Sequence, residues 1–191
     1  MKLQLTDEDF QKAASTLGCS VPMLKAVASV ESKGSGFLPS GEPKILYEPH
    51  IFSRLTKHRF DGSHPNLSYK RWKSGAYGPE SAQHAKLQAA VLLDKDAALQ
   101  SCSWGEFQVM GFNWGVCKYP SLQAFINDAY VGADGHLRMF LGYVKGRGLV
   151  DELQREDVDG FALGYNGPDY KLHNYDSRLS KALTKFKKEG A

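Results

Sequence analysis

Apolar residues recur at helical spacing over most of the chain, so the pattern predicts a mainly helical protein. Predicted helices cover roughly residues 6–17, 20–34, 50–57, 80–99, 121–131, 133–145, 149–154, 158–165 and 175–188, with a short helical turn over 104–110. Residues 36–79 differ, because they are rich in glycine, proline and polar residues and contain one strand candidate at 45–47. We therefore expect a helical body with a small β or loop-rich lobe.

Helix boundaries are marked by residues that suit them. Thr6, Ser20 and Ser121 stand at N-cap positions, and Pro22 falls in the first turn of the second helix. Gly34 is the predicted end of that second helix.

Glu31 interrupts the apolar stripe of the second predicted helix. It lies four residues after Val27 and seven after Leu24, where the pattern calls for a hydrophobic residue. A glutamate at a helix end is most often solvated or paired with a cation. Partial burial would instead raise its pKa and keep it protonated, as a general acid must be. Cleavage of a glycosidic bond needs such an acid and a second carboxylate, which Glu48 can supply from the end of the strand.

Length and composition narrow the possibilities. The 191 residues, with 42% hydrophobic and 24% charged residues, fit a single domain spanning 1–191. The three cysteines form no CxxC pair and the six histidines include no helical i, i+4 pair, so we expect neither a metal site nor a disulfide framework. Nucleotide-binding motifs and a basic stripe through the body of the chain are lacking. We therefore expect no cofactor and no nucleic-acid partner.

Positive charge collects at the C-terminus, although the whole chain carries only +3. From residue 171 onward, the chain contains six Lys or Arg residues but only two acidic residues, Asp176 and Glu189. The last predicted helix has an apolar stripe of Tyr175, Leu179, Leu183 and Phe186, which we expect to pack on the core. Its lysines are interpreted either as a solvated face or as a surface that meets an anionic outer membrane.

Four blocks of polar, glycine and aromatic residues follow one another along the chain. They are Glu31-Ser32-Lys33-Gly34-Ser35-Gly36-Phe37, Glu48-Pro49-His50-Ile51-Phe52, Ser103-Trp104-Gly105-Glu106-Phe107-Gln108-Val109-Met110-Gly111-Phe112-Asn113 and Tyr165-Asn166-Gly167-Pro168-Asp169-Tyr170. Together they resemble the N-acetylmuramidase family of phage endolysins, within the lysozyme-like superfamily, over about residues 20–185. Goose-type lysozymes and lytic transglycosylases share a looser version of the pattern.

The resemblance implies a mainly α, lysozyme-like α+β fold with a substrate cleft between the helical body and the small lobe. It implies a glycoside hydrolase that cleaves the β-1,4 bond between N-acetylmuramic acid and N-acetylglucosamine in bacterial peptidoglycan. The implied catalytic residues are Glu31 and Glu48. The implied substrate-binding residues are Ser32, Phe37, Gln108, Tyr165, Asn166 and Tyr170, with amides to hydrogen-bond sugar groups and aromatic rings, Trp104 among them, to stack on sugars.

Three hypotheses for the chemistry stay open. They are a hydrolase, a lytic transglycosylase that forms 1,6-anhydromuramic ends with one glutamate, and a non-catalytic wall-binding protein of the same fold. Glu48 is interpreted either as catalytic or substrate-contacting, or as a structural carboxylate that pins the strand to the helix of Arg54 or to backbone donors. Glu106 is a weaker contender for the second carboxylate, and we expect it to face solvent. Phe107, Phe112 and Trp114 are expected in the core.

The expected cellular setting follows the same resemblance. The first ten residues lack the apolar segment of a signal peptide, and no separate wall-binding module is recognisable. We expect a monomer that is made in the host cytoplasm and reaches the wall after a partner has permeabilised the membrane.

Overall fold

The structure is a computed structural model. It describes residues 2–32, 35–73, 75 and 77–190, without the side chains of Asp169 and His173. The helix end that the sequence predicts at Gly34 lies outside these residues.

Helices make up most of the described chain, as the apolar spacing predicts. They are α1 Asp7–Leu17, α2 Val21–Glu31, α3 Pro49–Leu55, α4 Gln83–Val91, α5 Lys95–Gln100, α6 Leu122–Ala129, α7 Ala133–Gly146, α8 Val150–Arg155, α9 Val158–Asn166 and α10 Tyr175–Glu189. Short 3₁₀ turns cover Glu80–Ala82, Gly111–Asn113 and Pro168–His173. The predicted mainly α architecture, a helical body with a small sheet, is confirmed.

Local capping explains where three of these helices begin. Thr6 and Asp9 form a capping box at α1. The Ser20 hydroxyl accepts from the Met23 N–H at 3.2 Å, and the Ser121 hydroxyl accepts from the Ala124 N–H at 3.1 Å. The predicted N-caps are therefore confirmed.

The sheet has three short antiparallel strands in the order β1-β2-β3: β1 Ile45–Tyr47, β2 Cys102–Trp104 and β3 Val109–Met110. Leu46 pairs with Ser103, and Trp104 pairs with Val109. The predicted helical turn over 104–110 is therefore wrong, because these residues form a β-hairpin. Its turn contains Gly105 at φ +70° and Gln108 at φ +48°, values that no right-handed helix contains.

The long helix predicted over 80–99 is also wrong in its extent. A 3₁₀ turn leads into α4, and the chain breaks before α5, where the Asp94 carboxylate accepts from the Ala97 N–H at 3.1 Å. Asp94 is thus an N-cap in the middle of an apolar run.

Helix α2 lies in the core and carries the site residue Glu31 at its last position. Helix α10 packs along it, with Leu179 and Leu183 buried and Tyr175 and Phe186 partly buried against the core. The predicted docking of the C-terminal stripe is confirmed. Within the described ranges no single helix is long and apolar enough to span a membrane. Only α1 and α2 together, bent by 113°, would qualify by length and composition.

Candidate active site

A cleft of about 660 Å³ opens between the helical body and the sheet. Its wall is formed by the end of α2, strand β1, the β2–β3 turn, and residues of α7, α9 and α10. Glu31, Glu48 and Glu106 all line it, and so do Gln108, Tyr165 and Asn166. Five of the eight site residues expected from the sequence thus meet in one cavity.

Glu31 is the most buried of the three carboxyl groups. The Asn166 side-chain amide donates to its Oε1 at 3.3 Å. The guanidinium of Arg178, which also donates to the Val30 carbonyl at 3.0 Å, adds a positive charge nearby. Burial raises the pKa of Glu31 to about 7, against the lowering effects of Asn166 and Arg178. A large fraction of Glu31 is therefore protonated at neutral pH.

Two tyrosines of the cleft wall, Tyr165 and Tyr175, lie close enough to Glu31 for its charge to raise their pKa values. Tyr143, Tyr165 and Tyr175 line the cleft with it. The Tyr165 hydroxyl donates to the Phe107 carbonyl at 3.0 Å, and its ring stacks on Phe161 at 5.3 Å. Tyr165 thus connects α9 to the β2–β3 turn through a hydrogen bond, and it also lines the cleft. Neither Tyr143 nor Tyr175 stands in one of the four sequence blocks, and Tyr175 is predicted only as part of the apolar stripe of the last helix.

Glu48 lies at the end of β1 and at the N-cap of α3. Its Oε2 accepts a hydrogen bond from the Tyr77 hydroxyl at 2.5 Å, and His50 Nδ1 lies 3.3 Å from the same oxygen. Burial raises the pKa of Glu48, while Tyr77 and His50 lower it. The structural partners are therefore Tyr77 and His50, and His50 belongs to α3, the helix that contains Arg54. Arg54 itself stands over the Phe112 ring at 5.8 Å. Tyr77 falls in a loop that the sequence pattern leaves featureless.

Gln108 closes the β2–β3 turn with its side chain. Its Nε2 donates to the Gly105 carbonyl at 2.8 Å, and its Oε1 accepts from the Ser103 hydroxyl at 2.7 Å. The residue itself remains exposed to the cleft.

His136 also holds the β2–β3 turn in place through a hydrogen bond. Its Nδ1 accepts from the Glu106 N–H at 3.2 Å, and its Nε2 lies 2.9 Å from the Ala129 carbonyl. These two partners require the neutral ring with the proton on Nε2. Burial agrees with this assignment, because it lowers the pKa of His136 to about 4.

Glu106 does not face open solvent, so that expectation is wrong. It is partly buried and lines the cleft. Burial raises the pKa of its carboxyl to about 7. The side chain has no hydrogen bond or ion pair with any residue that the structure describes.

Three expected substrate residues are not among those that line the cleft. Phe37 is buried and stacks on His136 at 4.5 Å, Ser32 caps the end of α2, and Tyr170 is buried. Trp104, considered as a sugar platform, is 1% exposed and belongs to the core. Within the described part of the chain no group of His, Cys, Asp and Glu side chains has the arrangement of a metal site.

Comparisons with known proteins agree with this geometry. The family model described as N-acetylmuramidase matches residues 20–187. The crystal structure of the Burkholderia AP3 phage endolysin superposes with a TM-score of 0.89 at 36% sequence identity, covering 98% of this chain and 72% of that one. No curated protein sequence matches.

Proposed function

We propose that this protein, which belongs to the N-acetylmuramidase family, is an endolysin that hydrolyses the β-1,4 bond between N-acetylmuramic acid and N-acetylglucosamine. The family and the likeness to a phage endolysin support a peptidoglycan-cleaving glycosidase. The observation that carries the finer proposal is Glu31, a carboxyl group with a pKa of about 7 in the wall of a cleft.

Glu31 acts as the general acid. In its protonated form it donates a proton to the glycosidic oxygen as the bond to the sugar anomeric carbon breaks. The Asn166 amide, which donates to Oε1, orients the carboxyl and stabilises the carboxylate that remains. The developing oxocarbenium ion then needs negative charge and a water molecule.

Glu48 is the proposed second carboxylate. Tyr77 donates a hydrogen bond to its Oε2, whereas its Oε1 makes no hydrogen bond to any described residue, and we propose that this oxygen binds the attacking water in the cleft. In this role the carboxylate stabilises the cationic sugar and orients the attacking water. Gln108, Tyr165 and Asn166 are proposed to contact the glycan from the cleft wall, and Ser32, Phe37 and Tyr170 to support that wall.

One observation favours a second candidate function, lytic transglycosylation. Tyr77 and His50 both contact Oε2 of Glu48, and burial raises the pKa of this carboxyl, so a smaller fraction of it is the carboxylate that would stabilise the cationic sugar. In that chemistry Glu31 serves as acid and then as base, and the 6-hydroxyl of muramic acid replaces water.

The end groups of the products separate the two functions. Purified peptidoglycan digested with the wild-type protein is expected to give muropeptides with free reducing muramic acid, detected by mass spectrometry. Products lighter by one water, the 1,6-anhydro ends, would instead assign the protein to the transglycosylases.

The exposed side of α10 is the proposed contact with an anionic outer membrane. The apolar residues of α10 pack against the core, so only the polar face of this helix can contact a membrane. Lys181 and Lys188 are exposed there, whereas Lys185 pairs with Glu189 and Lys187 with Glu156. We propose further that the chain acts as a single-domain monomer on the cell wall after the membrane has been permeabilised.

A further inference from the structure

The β2–β3 turn, residues 105–108, is held from several sides. The Glu106 N–H donates to His136, the Phe107 carbonyl accepts from Tyr165, and the Gln108 side chain bonds the Gly105 carbonyl. Gly36 packs so closely beneath it that a Cβ there would lie 2.7 Å from the Glu106 nitrogen. The backbone that carries the Glu106 side chain is therefore fixed from both lobes before any ligand arrives.

The Glu106 carboxyl is the group of this turn that lacks a partner. It lines the cleft, is partly buried, and makes no hydrogen bond or ion pair within the described ranges. Its oxygens are not fully buried, so they reach the water of the cleft, while partial burial disfavours the charged form. A carboxyl group on a rigid turn that lines the cleft and has no partner among the described residues is suited to a ligand contact, because the ligand can supply a hydrogen bond that no protein group makes.

Glu106 is also separate from the other two carboxyl groups. Burial alone raises its pKa, with no contribution from Glu31 or Glu48. A second carboxylate within a few ångströms would itself raise that pKa. The pKa of Glu106 is therefore set by burial and not by Glu31 or Glu48, and its carboxyl is available for a role separate from theirs in the same cleft.

We propose that Glu106 is a substrate-binding residue that accepts a hydrogen bond from a hydroxyl or acetamido N–H of the glycan strand. This inference rests on the proposed function, since the glycan is the ligand of the cleft. A neutral donor suits the position, because a carboxyl oxygen accepts from it in either protonation state. An ammonium group of a peptide stem would instead require the ionised form.

Two substitutions separate these possibilities. Glu106→Gln keeps the length and one acceptor oxygen but removes the charge, whereas Glu106→Ala removes the acceptor. Glu42→Ala is the matched control, because Glu42 lies in the same lobe, is partly buried and is not among the residues that line the cleft.

Binding is measured by calorimetry with a soluble, peptide-free fragment of alternating N-acetylglucosamine and N-acetylmuramic acid. All variants are made in the Glu31→Gln background, and thermal unfolding checks that each is folded. Glu106→Ala is expected to weaken binding about tenfold, the size of one lost hydrogen bond, and Glu106→Gln less than about threefold. Glu42→Ala is expected to leave binding unchanged.

If Glu106→Ala bound the fragment as tightly as the Glu31→Gln parent, the proposal would be overturned. An equal loss in the Gln and Ala variants would overturn the neutral-donor assignment, because the charge would then be the essential property. In the background with intact Glu31, Glu106→Ala is expected to raise KM with little change in kcat, and a fall in kcat alone would make Glu106 catalytic instead. Failure of the proposed function is visible separately, since mass spectra would then show that the wild-type protein leaves the fragment uncleaved.

Discussion

At the scale of single residues, the pKa of Glu31 is a balance between opposing effects. Burial at the end of α2 disfavours the carboxylate, while Asn166 and Arg178 stabilise it. The resulting value of about 7 lies close to neutral pH, where a general acid is most effective. Without either stabilising partner, the carboxyl would be protonated over a wider range of pH.

Asn166→Ala tests this balance. Loss of the donated hydrogen bond is expected to raise the pKa of Glu31, so the alkaline limb of the kcat profile moves to higher pH. In the wild type, kcat is expected to fall about tenfold per pH unit above about pH 7, as the acid loses its proton. The measurement is kcat against pH on a soluble glycan fragment, with the exposed Asn66→Ala as control. An unmoved alkaline limb in Asn166→Ala would show that Glu31 is not the titrating acid.

At the scale of elements, the sequence pattern identifies long amphipathic helices well and short β structure poorly. Helices α2 and α10 bury long stripes, so the periodicity repeats over several turns. The β2–β3 hairpin offers only a few residues, and its shape depends on positive φ at Gly105 and Gln108. A short apolar run carries too little periodicity to distinguish a strand from a helical turn.

Gly105→Ala tests how far the hairpin depends on its contact with His136. Gly105 has φ +70°, and a Cβ there would lie 2.3 Å from His136 Cδ2. Gly148→Ala is the matched control, because Gly148 has φ +71° and nothing within 4 Å of its Cβ position. In Gly148→Ala the free energy of unfolding is expected to fall by only about 1–2 kcal/mol, because alanine is strained in the left-handed conformation. Gly105→Ala is expected to lose about 2 kcal/mol more, from displacement of a buried side chain.

Urea denaturation of both variants measures this difference. Equal losses at the two glycines would show that His136 moves aside without cost, and that the turn is not fixed by it.

At the scale of the whole molecule, the site joins residues that are far apart in the chain. Glu31 and Asn166 meet across 135 positions, and the remaining wall comes from β1 and the β2–β3 turn. The sequence could identify Glu31 as a candidate site residue, because a carboxylate on an apolar stripe is a local feature. It could not reveal that Tyr77 binds Glu48 or that Glu106 is partly buried, since burial depends on elements that meet only after folding.

The proposed membrane contact is a property of the whole surface. Changing Lys181, Lys185, Lys187 and Lys188 to Gln is expected to reduce killing of intact cells at least several-fold, because each basic residue near an anionic surface contributes about 1 kcal/mol. Hydrolysis of purified wall is expected to stay normal. The matched control changes Lys12, Lys70, Lys95 and Lys145, which are also exposed. Equal killing by both variants, with normal wall hydrolysis, would remove the membrane role of α10.

The Glu31→Gln substitution is also expected to change the unfolding temperature, and this change serves as a folding control. Because the folded pKa of about 7 exceeds the ordinary value of 4.5, the folded state binds the extra proton between these pH values. The contribution of Glu31 to stability therefore falls as pH rises from 4.5 to 7. The Gln variant escapes this loss, so it is expected to unfold at a temperature equal to or above that of the wild type at pH 8.

The decisive measurement for Glu31 as the acid is mass spectrometry of the muropeptides that wild type and Glu31→Gln release from purified peptidoglycan. We expect reducing muramic acid ends from the wild type and at least about a hundredfold less product from the folded Gln variant, since a general acid contributes that much or more. Glu42→Gln, outside the cleft wall, is expected to match the wild type. If folded Glu31→Gln released the same products at the same rate, Glu31 would not be the acid and the proposed mechanism would be contradicted.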